Sequence, residues 1–292
     1  MTDAPRAVSR NDHDPFVDLH AHSTASDGSR APADVAHAAK AAGLAAIALT
    51  DHDTLAGVDE ASAAGDAIGV RVIAGVELSA VEEEQETHIL GLHIAERSSL
   101  EQRLIEVREM RVTRAERMVA RLNELGHAVT MEAVLKESAG GAVGRPHVAR
   151  ALIAGGFVLD AREAFEKYIG NGRPAFIGKD RLAMAEAIEL IHGAGGLAIL
   201  AHPGPHLTRE RVAALVLQGL DGIEVLHPSH SDNIAQHLDA LVDEFDLVRS
   251  GGSDWHGAAD GPRTLGMMRV PAKWLEDQEA RVAANTSRRV AS

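Results

Sequence analysis

Histidines and carboxylates that could bind metal ions are concentrated in a few short stretches of the sequence. The first is Asp18-Leu19-His20-Ala21-His22, which follows an apolar pair and leads into a polar segment containing Asp27. Two histidines spaced two apart on an extended chain lie on the same face, so both imidazoles can reach one ion. Alone, this spacing is weak evidence, because such pairs are more often surface or hydrogen-bonded histidines. The case for a metal site therefore depends on the rest of the chain.

The same residue types recur where later strands are expected to end. The full set of candidate metal ligands is His20, His22, Asp27, His52, Glu77, His88, His202, Asp254 and His256. Singly, each has an ordinary explanation, such as a helix cap or a core histidine, but together they require the same coincidence at about six strand ends. They are too many for one ion and fit two or three divalent ions that share a carboxylate. Manganese, iron, zinc or, less well, magnesium suits such donors.

These residues need a scaffold that brings the ends of distant strands together, and the apolar pattern of the chain predicts one. Short apolar segments alternate with alanine-rich helical segments, as in the right-handed β-α-β units of an α/β fold. The expected strands cover residues 16–20, 44–49, 70–76, 87–94, 197–200, 222–226, 247–250 and about 264–270. In barrels of parallel strands, functional sites are built on the carboxyl-terminal face. We therefore expect the candidate ligands to meet at one face of a parallel sheet or barrel.

The alternation stops in the middle of the chain, where the pattern predicts an all-helical insertion over residues 99–178. Its first helix, about 99–126, is long and amphipathic, and shorter helices are expected over 131–138, 146–154 and 160–168. The rest of the chain divides into a flexible tail, residues 1–15, and a barrel domain formed by residues 16–98 and 179–292. We expect the insertion to overhang the barrel mouth and to cap the substrate.

Composition limits what the protein can do. The net charge of -14 argues against non-specific capture of nucleic acid by the whole surface. Cysteine is absent, so any metal must be held by nitrogen and oxygen, and a disulfide framework is excluded. No apolar run resembles a signal peptide or a membrane span, which favours a cytoplasmic protein without membrane contact. The oligomeric state is left open.

Five short motifs resemble those of the PHP (polymerase and histidinol phosphatase) superfamily. They are Asp-Leu-His-Ala-His-Ser at 18–23, Thr-Asp-His-Asp at 50–53, Gly-Val-Glu-Leu-Ser at 75–79, Ala-His-Pro-Gly at 201–204 and Gly-Ser-Asp-Trp-His at 252–256. The resemblance implies a distorted (β/α)7 barrel with a trinuclear metal site, manganese being the first choice of metal. It implies three ligand groups: His20, His22, Glu77 and Asp254; Glu77, His88 and His202; and Asp27, His52 and His256.

Within that superfamily, the helical insertion and Gly144-Arg145-Pro146-His147 resemble a branch of small phosphoesterases that act on nucleotides. Members of that branch remove the 3′-phosphate of nucleoside 3′,5′-bisphosphates or trim 5′-phosphorylated oligonucleotides. The first expectation is therefore a phosphomonoesterase that uses in-line attack by a metal-bound hydroxide on phosphorus. A 5′-to-3′ exonuclease on short oligonucleotides is the alternative. A histidinol-phosphatase-like enzyme and a non-catalytic metal-binding module are further alternatives.

Basic residues of the insertion are candidates for binding a second phosphate. Arg145 and His147 lie at an expected helix start, which favours an anion, and Arg173 and Lys179 follow a glycine-rich turn. His230 is the candidate proton donor to the leaving group, although it could equally cap the next helix. Arg114 is expected to lie on a solvated stripe with Arg117 and Arg121.

The sequence offers little for holding a long nucleic acid. Apart from phenylalanines that look buried, Tyr168 is the one aromatic residue near the basic positions of the insertion. A stacking platform of the kind that long single strands use is therefore not evident. We expect a small phosphorylated nucleotide or a short oligonucleotide as substrate and no stable nucleic-acid complex.

Overall fold

The computed structural model describes residues 15–82, 85–138, 143–178, 182–258, 261 and 263–291. Residues 1–14 of the predicted tail, and Lys179 among the predicted phosphate-binding residues, lie outside the described residues.

The amino-terminal part of the chain alternates strands and helices as the sequence predicts. It forms β1 Phe16–Ala21, α1 Pro32–Ala41, β2 Ala46–Leu49, α2 Val58–Ile68, β3 Arg71–Glu82 and β4 Gln85–Leu92. α1 begins with Pro32, whose missing N–H leaves no hydrogen bond unmade in the first turn. α2 ends at Ile68, and the left-handed φ of 70° at the next residue, Gly69, lets the chain turn back into β3.

The central part of the chain is helical, as predicted. It contains α3 Arg97–Glu124, α4 Met131–Ser138, α5 Arg145–Ala154, α6 Ala161–Ala164 and a π-helix, Phe165–Ile169. α3 has 28 residues, and its two halves pack differently. Leu100 and Leu104 belong to the barrel core, whereas Met118 and Leu122 belong to a second apolar cluster formed with α4, α5 and α6. Because α3 contributes to both clusters, the division of the chain at residues 98 and 99 stays a prediction.

The carboxyl-terminal part returns to the alternating pattern. It forms α7 Met184–Gly193, β5 Leu197–Leu200, α8 Arg209–Leu217, β6 Gly222–Leu226, α9 Asp232–Glu244, β7 Val248–Gly251, β8 Val270–Pro271 and α10 Ala272–Ala291. The strands form one sheet in the order β7-β6-β5-β4-β3-β2-β1-β8. A bridge between Ala21 and Trp255 joins the segment after β7 to the end of β1 and nearly closes the barrel. The α/β barrel that was predicted is confirmed.

Two strands differ from the prediction. β4 is antiparallel to both β3 and β5. Only two residues separate β4 from β3, and so short a connection can form only a hairpin between antiparallel strands. The strand expected over 264–270 is wrong: β8 is two residues long and pairs antiparallel with β1. The residues before it form turns, with backbone hydrogen bonds from Met267 to Thr264 and from Arg269 to Gly266.

None of the helices in the described part of the chain combines the length and the apolar character needed to cross a membrane.

Gly222, at the start of β6, has no room for a side chain. A Cβ at this position would lie 2.5 Å from the carbonyl oxygen of Val248 and 2.6 Å from Cδ1 of Ile199. We expect Gly222→Ala to lower the free energy of unfolding by about 1–3 kcal/mol, because the neighbouring strand must move. Urea unfolding followed by circular dichroism measures the loss.

Gly193→Ala is the matched control, because nothing lies within 4 Å of a Cβ at the end of α7. Alanine favours a helix over glycine, so this variant should be as stable as the wild type or up to about 1 kcal/mol more stable. Equal losses in the two variants would contradict the packing argument.

Candidate metal centre

Glu77, in the middle of β3, is the centre of a buried cluster of side chains. Its side chain is only 1% exposed, yet imidazole nitrogens of five histidines surround its carboxylate. They are His88 Nδ1 at 2.7 Å, His202 Nε2 at 3.0 Å, His20 Nε2 and His22 Nε2 at 3.2 Å, and His52 Nδ1 at 3.4 Å. β3 and β4 extend as a hairpin beyond this point, and the register that pairs Ser79 with His88 puts His88 beside Glu77.

Two further carboxylates complete the cluster. Asp254 Oδ1 lies 3.4 Å from His20 Nε2 and 3.2 Å from His22 Nε2. Asp27 Oδ1 lies 3.3 Å from His256 Nε2 and 3.9 Å from His22 Nδ1. The structure therefore brings all the candidate ligands named from the sequence into one continuous cluster.

Three overlapping groups in this cluster have potential ligand atoms within 4.8 Å of one another. They are His20, His22, Glu77 and Asp254; His22, Asp27, His52 and His256; and His52, Glu77 and His88. The first group matches one implied by the family resemblance. The other two groups differ from those implied by the resemblance. His22 joins Asp27, His52 and His256, and His52 takes the place of His202 beside Glu77 and His88. His202 contacts Glu77 but belongs to none of these three groups.

The backbone is bent to aim side chains into the cluster. His202 and Asp254 have positive φ values of 28° and 50°. Asp53 also has a positive φ of 50°, but its carboxylate pairs with Arg111. For a residue with a side chain, such a conformation costs on the order of 1–3 kcal/mol, although aspartate and histidine accept it more readily than most. Gly252 has a related role, since a Cβ there would lie 2.4 Å from Cβ of His20.

Glu224, on β6, supports the cluster from behind and was missed by the sequence analysis. Its Oε1 lies 3.0 Å from Nδ1 of His20, and its Oε2 accepts the backbone N–H of His202 at 2.7 Å. A carboxylate that binds one imidazole nitrogen fixes the tautomer and directs the other nitrogen forward. The only signal in the sequence was an acid within an apolar strand, Gly-Ile-Glu-Val-Leu.

Asp254 has two further neighbours that the sequence analysis also missed. The Arg263 guanidinium donates a hydrogen bond to Oδ2 of Asp254. His227 is buried, and its Nε2 lies 3.5 Å from Oδ2 of Asp254. Nδ1 of His227 lies 2.7 Å from the hydroxyl oxygen of Ser229. Arg263 holds Asp254 through Oδ2, while Oδ1 faces His20 and His22. Nε2 of His227 lies near Oδ2 but has no hydrogen-bond partner among the described residues.

Asp53 joins the insertion to the strands that carry the cluster. Its backbone N–H donates to the carbonyl oxygen of Glu77 at 3.1 Å, and its buried carboxylate forms an ion pair with Arg111 of α3. Arg108, one turn earlier on α3, donates to the carbonyl oxygen of Asp53 at 2.9 Å. Because Asp53 directly follows His52 in the chain, α3 is attached beside two candidate ligands.

Burial and charge set the protonation of the cluster. Burial alone would raise the pKa of Glu77, but the surrounding imidazoles, led by His52, hold it well below its usual range. Burial opposes a charged His22, but the carboxylates of Asp254 and Glu77 raise the pKa of His22 to about 10. Burial lowers the pKa of His52 to about 3. The carboxylates are therefore ionised at neutral pH, and protons on imidazoles balance part of their charge.

This donor set fits divalent metal ions. Nδ1 of His22 and Nδ1 of His52 are buried and have no hydrogen-bond partner among the described residues. A divalent ion would give buried nitrogens a partner and replace imidazole protons as the source of positive charge. Because every donor is nitrogen or oxygen, the cluster suits manganese, iron or zinc better than metals that prefer sulfur.

A cavity of about 140 Å³ opens beside the cluster and has two different walls. The barrel supplies Asp27, His52 and His88 on one side. The insertion supplies Arg111, Arg114, Arg145, His147 and Phe165 on the other side. Histidines and a carboxylate of the barrel thus line the same small space as basic side chains of the insertion, and Arg111 joins the two parts by donating to Oγ of Ser79 at 3.0 Å.

Two of the predicted phosphate-binding residues lie in this cavity. Arg145, the first residue of α5, donates a hydrogen bond to Oδ1 of Asn171 at 2.9 Å. His147 is 1% exposed, and its Nδ1 accepts the backbone N–H of Gly144 at 2.9 Å. Neutral His147 therefore carries its proton on Nε2, a buried atom without a hydrogen-bond partner among the described residues.

The other basic residues differ from expectation. Arg173 is exposed in the turn after the π-helix and does not line the cavity. The solvated stripe predicted for Arg114 is wrong, because Arg114 is 6% exposed and its Nε donates to the carbonyl oxygen of Ile177 at 2.8 Å. The segment that leaves the insertion folds back over α3 and covers it.

His230 lies outside the cluster, in contact with His227. Its Nδ1 lies 3.0 Å from the carbonyl oxygen of Val225, and its Nε2 accepts the backbone N–H of Gly204 at 3.2 Å. Burial lowers the pKa of His230. Both ring nitrogens are thus used by the backbone, and the proposed role as proton donor stays a prediction that this geometry does not favour. The cap of α9 is Ser231, not His230.

Known proteins resemble this chain over most of its length. It is 38% identical over 245 residues to a 5′-3′ exoribonuclease from Haemophilus influenzae, covering 82% of this chain and 89% of that protein. It is 36% identical over 257 residues to a 3′,5′-nucleoside bisphosphate phosphatase from Chromobacterium violaceum, covering 86% and 90%. A solved structure from Bifidobacterium adolescentis, described as a metal-dependent phosphoesterase, matches with a TM-score of 0.84 and 31% identity, covering 91% and 96%.

The barrel and its cluster of histidines and carboxylates define a metal-dependent hydrolase. Residues 18–170 match the model of the PHP domain, and the chain belongs to this family.

Glu224→Gln tests whether the carboxylate behind His20 supports metal binding. Glutamine keeps the shape of the side chain but removes the charge that fixes the imidazole. We expect Mn²⁺ to bind about 10- to 100-fold more weakly, the usual cost of losing such a partner. Calorimetric titration of chelator-treated protein with MnCl₂ measures the affinity. Glu186→Gln, on the exposed side of α7, is the control; an unchanged affinity in the Glu224 variant would refute the supporting role.

His147 should make stability depend on pH. Burial lowers the pKa of His147 to about 4, against about 6.5 in an unfolded chain. Between these values the unfolded chain binds more protons, so native stability falls as the pH falls through this range. We expect the loss between pH 7 and pH 4.5 to be smaller by about 2 kcal/mol in His147→Gln. Urea unfolding of the chelator-treated proteins tests this, and equal losses would contradict it.

Proposed function

We propose that this protein is a metal-dependent phosphomonoesterase that removes the 3′-phosphate of nucleoside 3′,5′-bisphosphates. The observation that carries the proposal is the cavity between the candidate metal cluster and the basic wall of the insertion. A substrate with two phosphates would use both walls, one phosphate at the cluster and the other at the guanidinium of Arg145. The Chromobacterium relative, which is 36% identical, is named for this activity.

We assign two to three divalent ions, with Mn²⁺ as first choice, to the cluster around Glu77. The proposed ligands are His20, His22, Asp27, His52, Glu77, His88, His202, Asp254 and His256. When bound, divalent ions neutralise phosphate oxygens and supply a hydroxide nucleophile at neutral pH.

The protein's own residues hold the reacting groups in place. Glu77 stays ionised at neutral pH, because imidazoles surround it. Glu224 fixes the ring of His20 from behind, so that Nε2 faces the cluster. On the opposite wall, the Nε2–H of His147 is a buried donor without a partner among the described residues, and a phosphate oxygen would satisfy it. Asn171 holds the guanidinium of Arg145 in position for the same anion.

A 5′-to-3′ exonuclease on short 5′-phosphorylated oligonucleotides is the second candidate. The Haemophilus relative, 38% identical over most of both chains, is named an exoribonuclease. The two activities share their needs, since both require one phosphate to be anchored while another is attacked. In both reactions the leaving group is the 3′-oxygen of a nucleoside 5′-phosphate. They differ in the attacked phosphate, which is released as inorganic phosphate from the bisphosphate but stays on the 5′ end of the shortened oligonucleotide in the exonuclease reaction.

Glu77→Gln should abolish the activity. Because Glu77 contacts imidazoles of every group in the cluster, we expect phosphate release from adenosine 3′,5′-bisphosphate to fall by more than about 100-fold, beyond the cost of losing an outer partner. The assay uses chelator-treated protein reloaded with Mn²⁺, with Glu186→Gln as control. Substantial activity in the Glu77 variant would overturn the proposed ligand role.

The products from a 5′-phosphorylated oligoribonucleotide separate the two candidates. Free phosphate from the bisphosphate and no mononucleotides from the oligomer would support the phosphatase. Mononucleotides from the oligomer, without release from the bisphosphate, would favour the exonuclease.

A further inference from the structure

We propose that Phe165 is the surface on which the substrate's nucleobase stacks, an inference that rests on the proposed nucleotide substrate. Among the described residues that line the cavity, Phe165 is the only phenylalanine, tyrosine or tryptophan. The rest of the lining is polar, charged or small, apart from Pro146. Phe165 packs partly against the apolar cluster of the insertion, and it also lines the cavity beside the basic side chains.

The ring of Phe165 lies beside the guanidinium of Arg145. The guanidinium carbon of Arg145 lies 5.6 Å from the ring centroid of Phe165 and 5.8 Å from that of Phe176. Arg145 is thus held near two rings by cation–π contacts while Asn171 binds its edge. Bases stack on both aromatic rings and guanidinium planes, so a base beside Phe165 and Arg145 would meet both kinds of surface.

The local backbone presents this ring at the cavity. Phe165 is the first residue of the π-helix, which follows directly on α6. The wider turn of a π-helix changes the direction of its side chains, and such turns are frequent at functional sites. Ile169, at the other end of the same turn, is fully buried in the apolar cluster of the insertion. Phe165 is partly buried against the same cluster, so the turn holds its ring between the core of the insertion and the cavity.

The chemistry of a nucleoside bisphosphate matches this arrangement. One phosphate would lie at the cluster, and the second phosphate at Arg145 and His147. The base, attached to the same ribose, would then meet the ring next to Arg145. Stacking recognises any base, because every base has a π-face. We therefore expect Phe165 to distinguish nucleotides from other bisphosphates, with little preference among adenine, guanine, cytosine and uracil.

The test compares two substrates that differ only in the base. Phosphate release is measured with adenosine 3′,5′-bisphosphate and with a ribose 3,5-bisphosphate that lacks a base. Phe165→Leu, which stays apolar but has no π-face, should lower kcat/KM for the adenosine compound about 10-fold, mainly through KM. For the base-free compound, kcat/KM should fall only as far as it falls in Phe176→Leu, because both variants lose one ring contact with Arg145. Phe165→Trp should restore the wild-type preference.

Phe176→Leu is the matched control. Phe176 contacts Arg145 but does not line the cavity, so its loss should affect both substrates alike. Equal losses on both substrates in Phe165→Leu would show that the ring only supports Arg145 and would overturn the proposal. A wild type without preference for the adenosine compound would overturn it as well.

A binding measurement separates this proposal from the proposed function. If the wild type released phosphate from neither compound, the phosphatase assignment would fail, and calorimetric titration with adenosine 5′-monophosphate would still test the stacking surface. Binding that is about 10-fold weaker in Phe165→Leu than in the wild type would support it. Equal affinities, or no binding to the wild type, would refute it.

Discussion

The barrel mouth depends on compensating the charge of one buried carboxylate. An isolated carboxylate inside a protein is so unfavourable that it either becomes protonated or gathers partners. Glu77 gathers five imidazoles from four separate segments of the chain, and the fold must bring those segments together. The outer partners support the same cluster, since Glu224 contacts the ring of His20 and the backbone N–H of Asp53 donates to Glu77. The cluster therefore acts as one unit with the strands that carry it.

The insertion supplies the arginines that line the cavity. The carboxylates of the cluster suit cations, but their negative charge repels a phosphorylated substrate until those cations are bound. The arginines of α3 and α5 provide the opposite charge on the far side of the cavity, in a protein whose net charge is -14. Arg111 serves both sides, because it lines the cavity and pairs with Asp53 beside the cluster. α3 thus links the residues proposed to bind the substrate to the candidate metal ligands.

The cluster could be predicted from the sequence because most of its members follow or end a strand, and strand ends of a barrel converge. Glu224 could not, since it lies within a strand and only the fold shows that His20 is in front of it. Alternating elements suggested a parallel β4, whereas the short connection to β3 decided its direction. Arg114 looked exposed on a helix of mixed charge, and only the return of the chain near Ile177 buries it.

The left-handed backbone at His202 and Asp254 limits which residues a related sequence can carry at these two positions. Glycine adopts this conformation without strain, but it adds freedom to the unfolded chain and removes the contacts of both side chains, including the ion pair of Asp254 with Arg263. A homologue with glycine at both positions would keep the path of the backbone and would lose two candidate ligands of the cluster.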